Sequence, residues 1–308
     1  MKLGRGFAVL LALALLGVAV LLTYCQHRRP PPSPATTPVA ARPTEPDCGR
    51  PQAMSRSAAD NAASLSGLAF SPFRAPEAGW ETYAPQVARE IGSGCPPTTL
   101  GFARDLAAWQ SRRGLVPDGR MTAETFEAFR LAWHRRRPLR GKLPVQACPP
   151  PPPPEQLVEA DPSEGLHGKV VKLRPAVLEA WRKMRQAARR EDPAIAKDPL
   201  ALVLVSGYRD PASDALRCAV EGNCDNRRRA LCSAHRTGLV FDLYVGAAPG
   251  SDPTSTDPRN RLYQSRTPAY RWLVKNARRF GFENYVYEPW HWEWSGPSEF
   301  GTPAPAAP

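Results

Sequence analysis

Four side chains in the C-terminal part of the sequence could do hydrolytic chemistry together. Ser233-Ala-His235-Arg-Thr-Gly238-Leu-Val-Phe-Asp242 supplies an imidazole and a carboxylate, and Glu288-Pro-Trp-His291-Trp supplies a second imidazole and a second carboxylate. Two imidazoles and one carboxylate form a three-ligand set that leaves zinc an open position for water. A further glutamate beside that set can take the water's proton. The chain has five histidines. His27 follows the N-terminal apolar run and His134 lies in an arginine run, which leaves His167, His235 and His291 to the C-terminal half. Two blander arrangements remain open on these residues: a buried His–Asp hydrogen bond without metal, and an aromatic strand holding one satisfied histidine.

The elements around them must bring these groups to one place. Residues 239–245 are apolar and β-branched with Asp242 and Tyr244 in alternate register, which predicts a strand. Its period of two sets Val240, Asp242 and Tyr244 on one face and Leu239, Phe241 and Leu243 on the other. Asp242 interrupts an otherwise core-like strand, where a lone carboxylate is costly unless paired or metal-bound. Gly238 permits the turn that returns His235 toward Asp242. Glu288 and Glu293 both lie among aromatic residues, where an unpaired charge is disfavoured and a glutamate can serve as general base near neutral pH.

Ser-x-His-x-x-Gly-x-x-x-Asp followed by Glu-x-Trp-His resembles the zinc D-alanyl-D-alanine carboxypeptidases of the VanY type, in the M15 peptidase family. These are relatives of lysostaphin-type enzymes and hedgehog domains. Ser206-Gly-Tyr-Arg209, at the end of a buried-looking run at 202–206, is a third motif in the same order. The resemblance covers roughly residues 155–300. It implies an α+β fold: a small, largely antiparallel sheet with packed helices. It also implies that His235, Asp242 and His291 bind Zn2+, and that Glu288 takes a proton from the attacking water and returns it to the leaving amine. Arg209 would meet the substrate carboxylate or the developing oxyanion, and Ser233 would donate to the terminal carboxylate. Two positions depart from the family. Val240 stands where alanine is usual, and Asp214 stands where many relatives carry a substrate-contacting glutamine. A negative charge at Asp214 would repel a terminal carboxylate.

Lys2 and Arg5 precede an apolar run at 7–24, near the lower limit of a spanning helix, so residues 1–29 are expected to be a membrane anchor, or else a cleaved signal segment. Beyond Cys25 the chain has six further cysteines: Cys48, Cys95, Cys148, Cys218, Cys224 and Cys232. An even number in an exported chain predicts disulfides and a periplasmic or other extracytoplasmic location. Cys218, Cys224 and Cys232 are close enough for one local bridge, which leaves one of them to reach Cys148 or elsewhere. Residues 30–79 read as a Pro/Ala-rich linker with weak patterning near 50–75, and 141–154 as a second, Pro-rich linker. Between them, 80–140 shows three helical patterns near 81–91, 99–112 and 122–134. Trp109-Gln, Asp118-Gly119, Thr122 and Thr125 there resemble the peptidoglycan-binding domain common in wall hydrolases. The catalytic region at 155–300 should contain helices near 175–190 and 268–280. Its strands should lie at 201–206, 239–245, 285–287 and 291–294, and 301–308 should be a disordered tail.

The chain carries 41 Lys+Arg against 29 Asp+Glu. The short runs Arg135–Arg137 and Arg227–Arg229 read as solvated basic surface, with no nucleic-acid partner, because no aromatic-basic recognition motif accompanies them. The expected partners are peptidoglycan stem peptides and, through the N-terminal segment, the membrane. Three functions follow from these features. The first is a D,D-carboxypeptidase removing the terminal D-Ala, the second an endopeptidase cutting crosslinks or internal stem bonds, and the third a non-catalytic wall-binding protein.

Overall fold

The computed structural model describes residues 47–71, 76–139, 148, 150–222 and 232–296. The expected anchor at 1–29, the arginine run at 227–229 and the tail at 301–308 lie outside the described residues. Among the described residues no helix is long and apolar enough to cross a membrane.

The N-terminal part is a helical layer. It begins with α1 (Ser55–Gly67), then the paired two-residue strands β1 (Ala69–Phe70) and β2 (Glu77–Ala78). Helices α2 (Ala84–Ile91), α3 (Leu100–Arg112) and α4 (Ala123–Arg136) match the three expected patterns. Thr99 and Thr122 start α3 and α4 by accepting from the backbone N–H groups of Phe102 and Thr125. The aromatic stripes meet face to face, with Trp109 stacked on Phe129 at 3.9 Å between centroids. Helix α1 corrects the weak patterning expected near 50–75. Its buried positions are Ser57, Ala58 and Asn61, which present no apolar stripe. Asn61 instead binds across the layer, accepting from Met121 N at 2.7 Å and donating to Gly119 O at 2.9 Å.

The C-terminal part starts with the antiparallel pair β3 (Val158–Glu159) and β4 (Lys172–Leu173), then α5 (Pro175–Glu191) and α6 (Pro193–Lys197). Next come β5 (Leu204–Ser206), α7 (Pro211–Glu221) and β6 (Val240–Leu243). Helices α8 (Pro258–Ser265) and α9 (Pro268–Asn276) lead to β7 (Phe282–Asn284) and β8 (His291–Trp294). The four longer strands form one antiparallel sheet in the order β5-β6-β8-β7. Trp181, Met184, Phe241, Leu273 and Trp292 share the core between sheet and helices. This is the α+β architecture that the motifs implied. One strand falls elsewhere than expected: β7 is 282–284, and 285–290 is the hairpin turn. Tyr285 N bonds His291 O at 3.1 Å and Glu288 N bonds Tyr285 O at 2.8 Å, closing the loop where aromatic content alone suggested a strand.

Both parts fall in one compact unit. Cys48 bonds to Cys95 and Cys148 to Cys232, so Cys232 is the member of the close trio that reaches Cys148. Cys218 is also disulfide-bonded.

Candidate metal centre

Strand register assembles the site. Asp242 on β6 lies directly opposite His291 on β8, and Ser206 on β5 lies opposite Asp242 on its other side. Directly opposed residues carry Cβ atoms about 5 Å apart, so the row Ser206–Asp242–His291 is set by backbone pairing. His235 arrives from a 3-10 turn, Ala234–Thr237, which Ser233 caps and Gly238 closes with a left-handed φ of 68°. The left-handed backbone there favours glycine, and an added Cβ would also press on the tip of the Leu157 side chain, 2.8 Å away.

His235, Asp242 and His291 are all buried, and one ligand atom from each lies within 4.8 Å of the others. His235 Nδ1 is engaged at 2.7 Å by the Gly207 carbonyl, which turns Nε2 toward Asp242 Oδ2 at 3.4 Å. His291 directs Nδ1 at Asp242 Oδ1, 3.1 Å away. Ligands held about 2.0–2.1 Å from one tetrahedral ion stand about 3.3 Å apart, so these spacings and this donor set fit zinc. The Gly207 carbonyl is the kind of outer partner that fixes the tautomer of a ligating imidazole. Ser206 supplies another, its hydroxyl donating to Asp242 Oδ2. Both lie in the Ser-Gly-Tyr-Arg motif, where the sequence drew attention to Arg209 alone.

Burial works against charge on Asp242, yet the two imidazoles outweigh it and hold the carboxyl well below the usual range. Burial likewise opposes charge on His291. Its contacts with Asp242 and Glu293, and the nearby Glu288, push it up to about 10. Glu288 sets Oε2 3.7 Å from His291 Nδ1 with its side chain a quarter exposed, so the fourth titratable group borders the centre on a side open to water.

The other expected site residues form an adjoining cluster. Arg209 donates from its backbone to His235 O at 3.2 Å and from Nη1 to Ser233 Oγ at 3.1 Å. Ser233 Oγ also accepts from His235 N at 3.3 Å, which leaves its own hydroxyl hydrogen to donate. Asp214 is 1% exposed and faces inward. It accepts from Ser233 N at 3.0 Å and pairs with Arg217 and Arg236, each at 3.2 Å. Burial raises its pKa, and these donors reverse the effect and hold the carboxyl below its ordinary value. Its charge is matched by the guanidinium groups of Arg217 and Arg236.

The arginine run at 135–137 is not plain solvated surface. Arg136 pairs with the partly buried Glu90, and Arg137 pairs with Glu293, which is fully buried. Glu293 thereby has the partner that its aromatic surroundings required. Burial raises its pKa, but His291 and Arg137 bring it down to about 2.

Residues 170–297 match the family model described as VanY, D-alanyl-D-alanine carboxypeptidase. This segment contains the whole four-stranded sheet and every residue of the centre, and it is a VanY-type domain of the M15 peptidase family. The family assigns the domain to peptidases of the cell wall, acting on peptidoglycan stem peptides, and the disulfides fit an extracytoplasmic location. No curated protein matched the chain.

Proposed function

We propose that this VanY-type domain is a zinc-dependent D,D-carboxypeptidase that hydrolyses the terminal D-Ala-D-Ala bond of peptidoglycan stem peptides outside the cytoplasm. The observation that carries it is the register of Asp242 against His291, with His235 Nε2 turned toward the same carboxylate. His235, Asp242 and His291 would hold the ion, His235 through Nε2 and His291 through Nδ1. Zinc bound there would polarise the scissile carbonyl and lower the pKa of water at its open position toward about 7.

The chain's own groups do the rest. Glu288, beside His291 and partly open to solvent, accepts the proton of the attacking water and returns it to the leaving amine. Arg209 offers a planar fork to the terminal carboxylate or the developing oxyanion. Ser233, held by Arg209 and by the turn it caps, donates its hydroxyl hydrogen to that carboxylate. Asp214 acts through others, fixing the Ser233 backbone and keeping Arg217 and Arg236 in place beside it.

Mass spectrometry of defined pentapeptide and crosslinked muropeptides after incubation tests this. Loss of one alanine from the pentapeptide is expected. Conversion of dimers to monomers without alanine loss would make the enzyme an endopeptidase. Zinc-loaded protein that alters neither substrate would leave a wall-binding protein.

A further inference from the structure

We propose that the helical layer supplies positioning residues to the metal centre: Gln86 through Asn284, and Arg137 through Glu293, hold the segment that carries Glu288 and His291. This rests on the zinc centre proposed above. Gln86 on α2 is 1% exposed and donates to Asn284 Oδ1 at 2.9 Å and to Tyr270 OH at 3.3 Å. Tyr270 OH donates to the same Oδ1 at 3.2 Å, which fixes Asn284 with its amide hydrogens directed the other way. Those hydrogens reach His291 O at 2.9 Å and Glu288 O at 3.2 Å. One amide, clamped from the helical layer, therefore spans both ends of the segment Glu288–His291.

The second link meets the imidazole itself. Arg137, just past α4, grips Glu293 with two nitrogens, Nε at 2.9 Å, and the backbone N–H of Leu139 adds a bond at 3.4 Å. Glu293 Oε1 lies 3.7 Å from His291 Nε2, a buried nitrogen that makes no hydrogen bond. A ligating imidazole commonly donates its other N–H to a carboxylate, and a shift of under about 1 Å makes that bond here. The turn between these links is seated on the same layer. Val286 is buried within the helical core, and Arg130 on α4 donates to Tyr287 OH at 2.7 Å. The Arg137 guanidinium lies 4.1 Å over the Tyr285 ring.

The test uses full-length Gln86→Met, Glu293→Gln and Arg137→Lys, each close in size to the native side chain. Arg266→Met, which removes an exposed pair between the same two layers, is the control. Zinc affinity by competition with a chromogenic chelator, the visible spectrum of the cobalt-loaded protein, kcat and KM are read beside the unfolding curve. Each of the three variants should bind zinc about 10–100-fold more weakly, shift the cobalt spectrum and lower kcat with KM little changed. Arg266→Met should match wild type. Wild-type affinity and spectrum in the folded variants would overturn the inference while leaving the zinc centre standing. Should Gln86→Met not fold, Arg137→Lys, which keeps the charge opposite Glu293, decides alone. A wild-type protein that takes up no zinc would overturn both.

Discussion

Asp242 is shared by three neighbours: a serine hydroxyl on one side and an imidazole on each of two others. Its two oxygens are divided between His235 and His291, so removing either imidazole dismantles the set, whereas Glu288 stands beside it. Glu288→Gln should therefore bind zinc with near wild-type affinity and lose about 10²–10⁴-fold in kcat, the usual worth of a positioned general base. Metal analysis alongside steady-state kinetics checks this; loss of zinc together with activity would place Glu288 among the ligands. The candidate ligands His235, Asp242 and His291, and Glu288 beside them, could be picked out of the sequence because each sits in a short motif whose turn or strand sets its direction. Their supports were not. Ser206 reaches Asp242 only through the β5–β6 register, and Gly207 contributes a carbonyl that no residue type reveals. Arg137 looked like one arginine of a basic run, because its partner Glu293 is distant in sequence and meets it only in the packed fold.

At the level of elements, the antiparallel pairing of β6 with β8 is the decisive feature, since a slip of one residue would turn Asp242 or His291 to the opposite face. Helices with apolar stripes, α3 and α4, were readable from their period. Helix α1 was not, because it packs through an asparagine and small residues instead of a stripe. The helical layer also has its own electrostatic lock. Burial raises the pKa of Glu90 on α2, but Arg136 on α4 more than reverses this and holds the carboxyl below its usual value of 4.5. A carboxyl lowered in the folded state stabilises the fold above its unfolded pKa, and that stability drains away as pH falls through the folded value. Urea unfolding midpoints should accordingly drop below about pH 4.5 in wild type. Glu90→Gln should start lower at neutral pH and fall less steeply with acid. Parallel pH curves for the two proteins would show that the pair contributes nothing.

On the scale of the whole molecule, helical layer and peptidase domain form one unit with covalent ties in each. Cys48–Cys95 and Cys148–Cys232 close segments with sequence separations of 47 and 84. Loop entropy alone makes them worth about 4 and about 4.6 kcal/mol respectively. Cys148–Cys232 also anchors the residue just before Ser233, which caps the His235 turn. A thiol reductant should lower the unfolding midpoint sharply and weaken zinc retention along with it. Thermal denaturation and metal analysis of reduced, alkylated protein check both, and an unchanged midpoint would mean the bridges tie segments already held by packing. The sequence expected one of Cys218, Cys224 and Cys232 to reach Cys148 or elsewhere, but only the fold, which brings Cys148 beside Cys232, decides which one. Zinc dependence is tested by adding zinc back to metal-stripped, full-length protein while D-alanine release from a stem pentapeptide is followed. Activity should be absent without metal, rise to a break at one zinc per chain, and stay absent in His235→Ala at the same zinc concentrations. Full D-alanine release by the metal-free protein would rule out a zinc-dependent reaction.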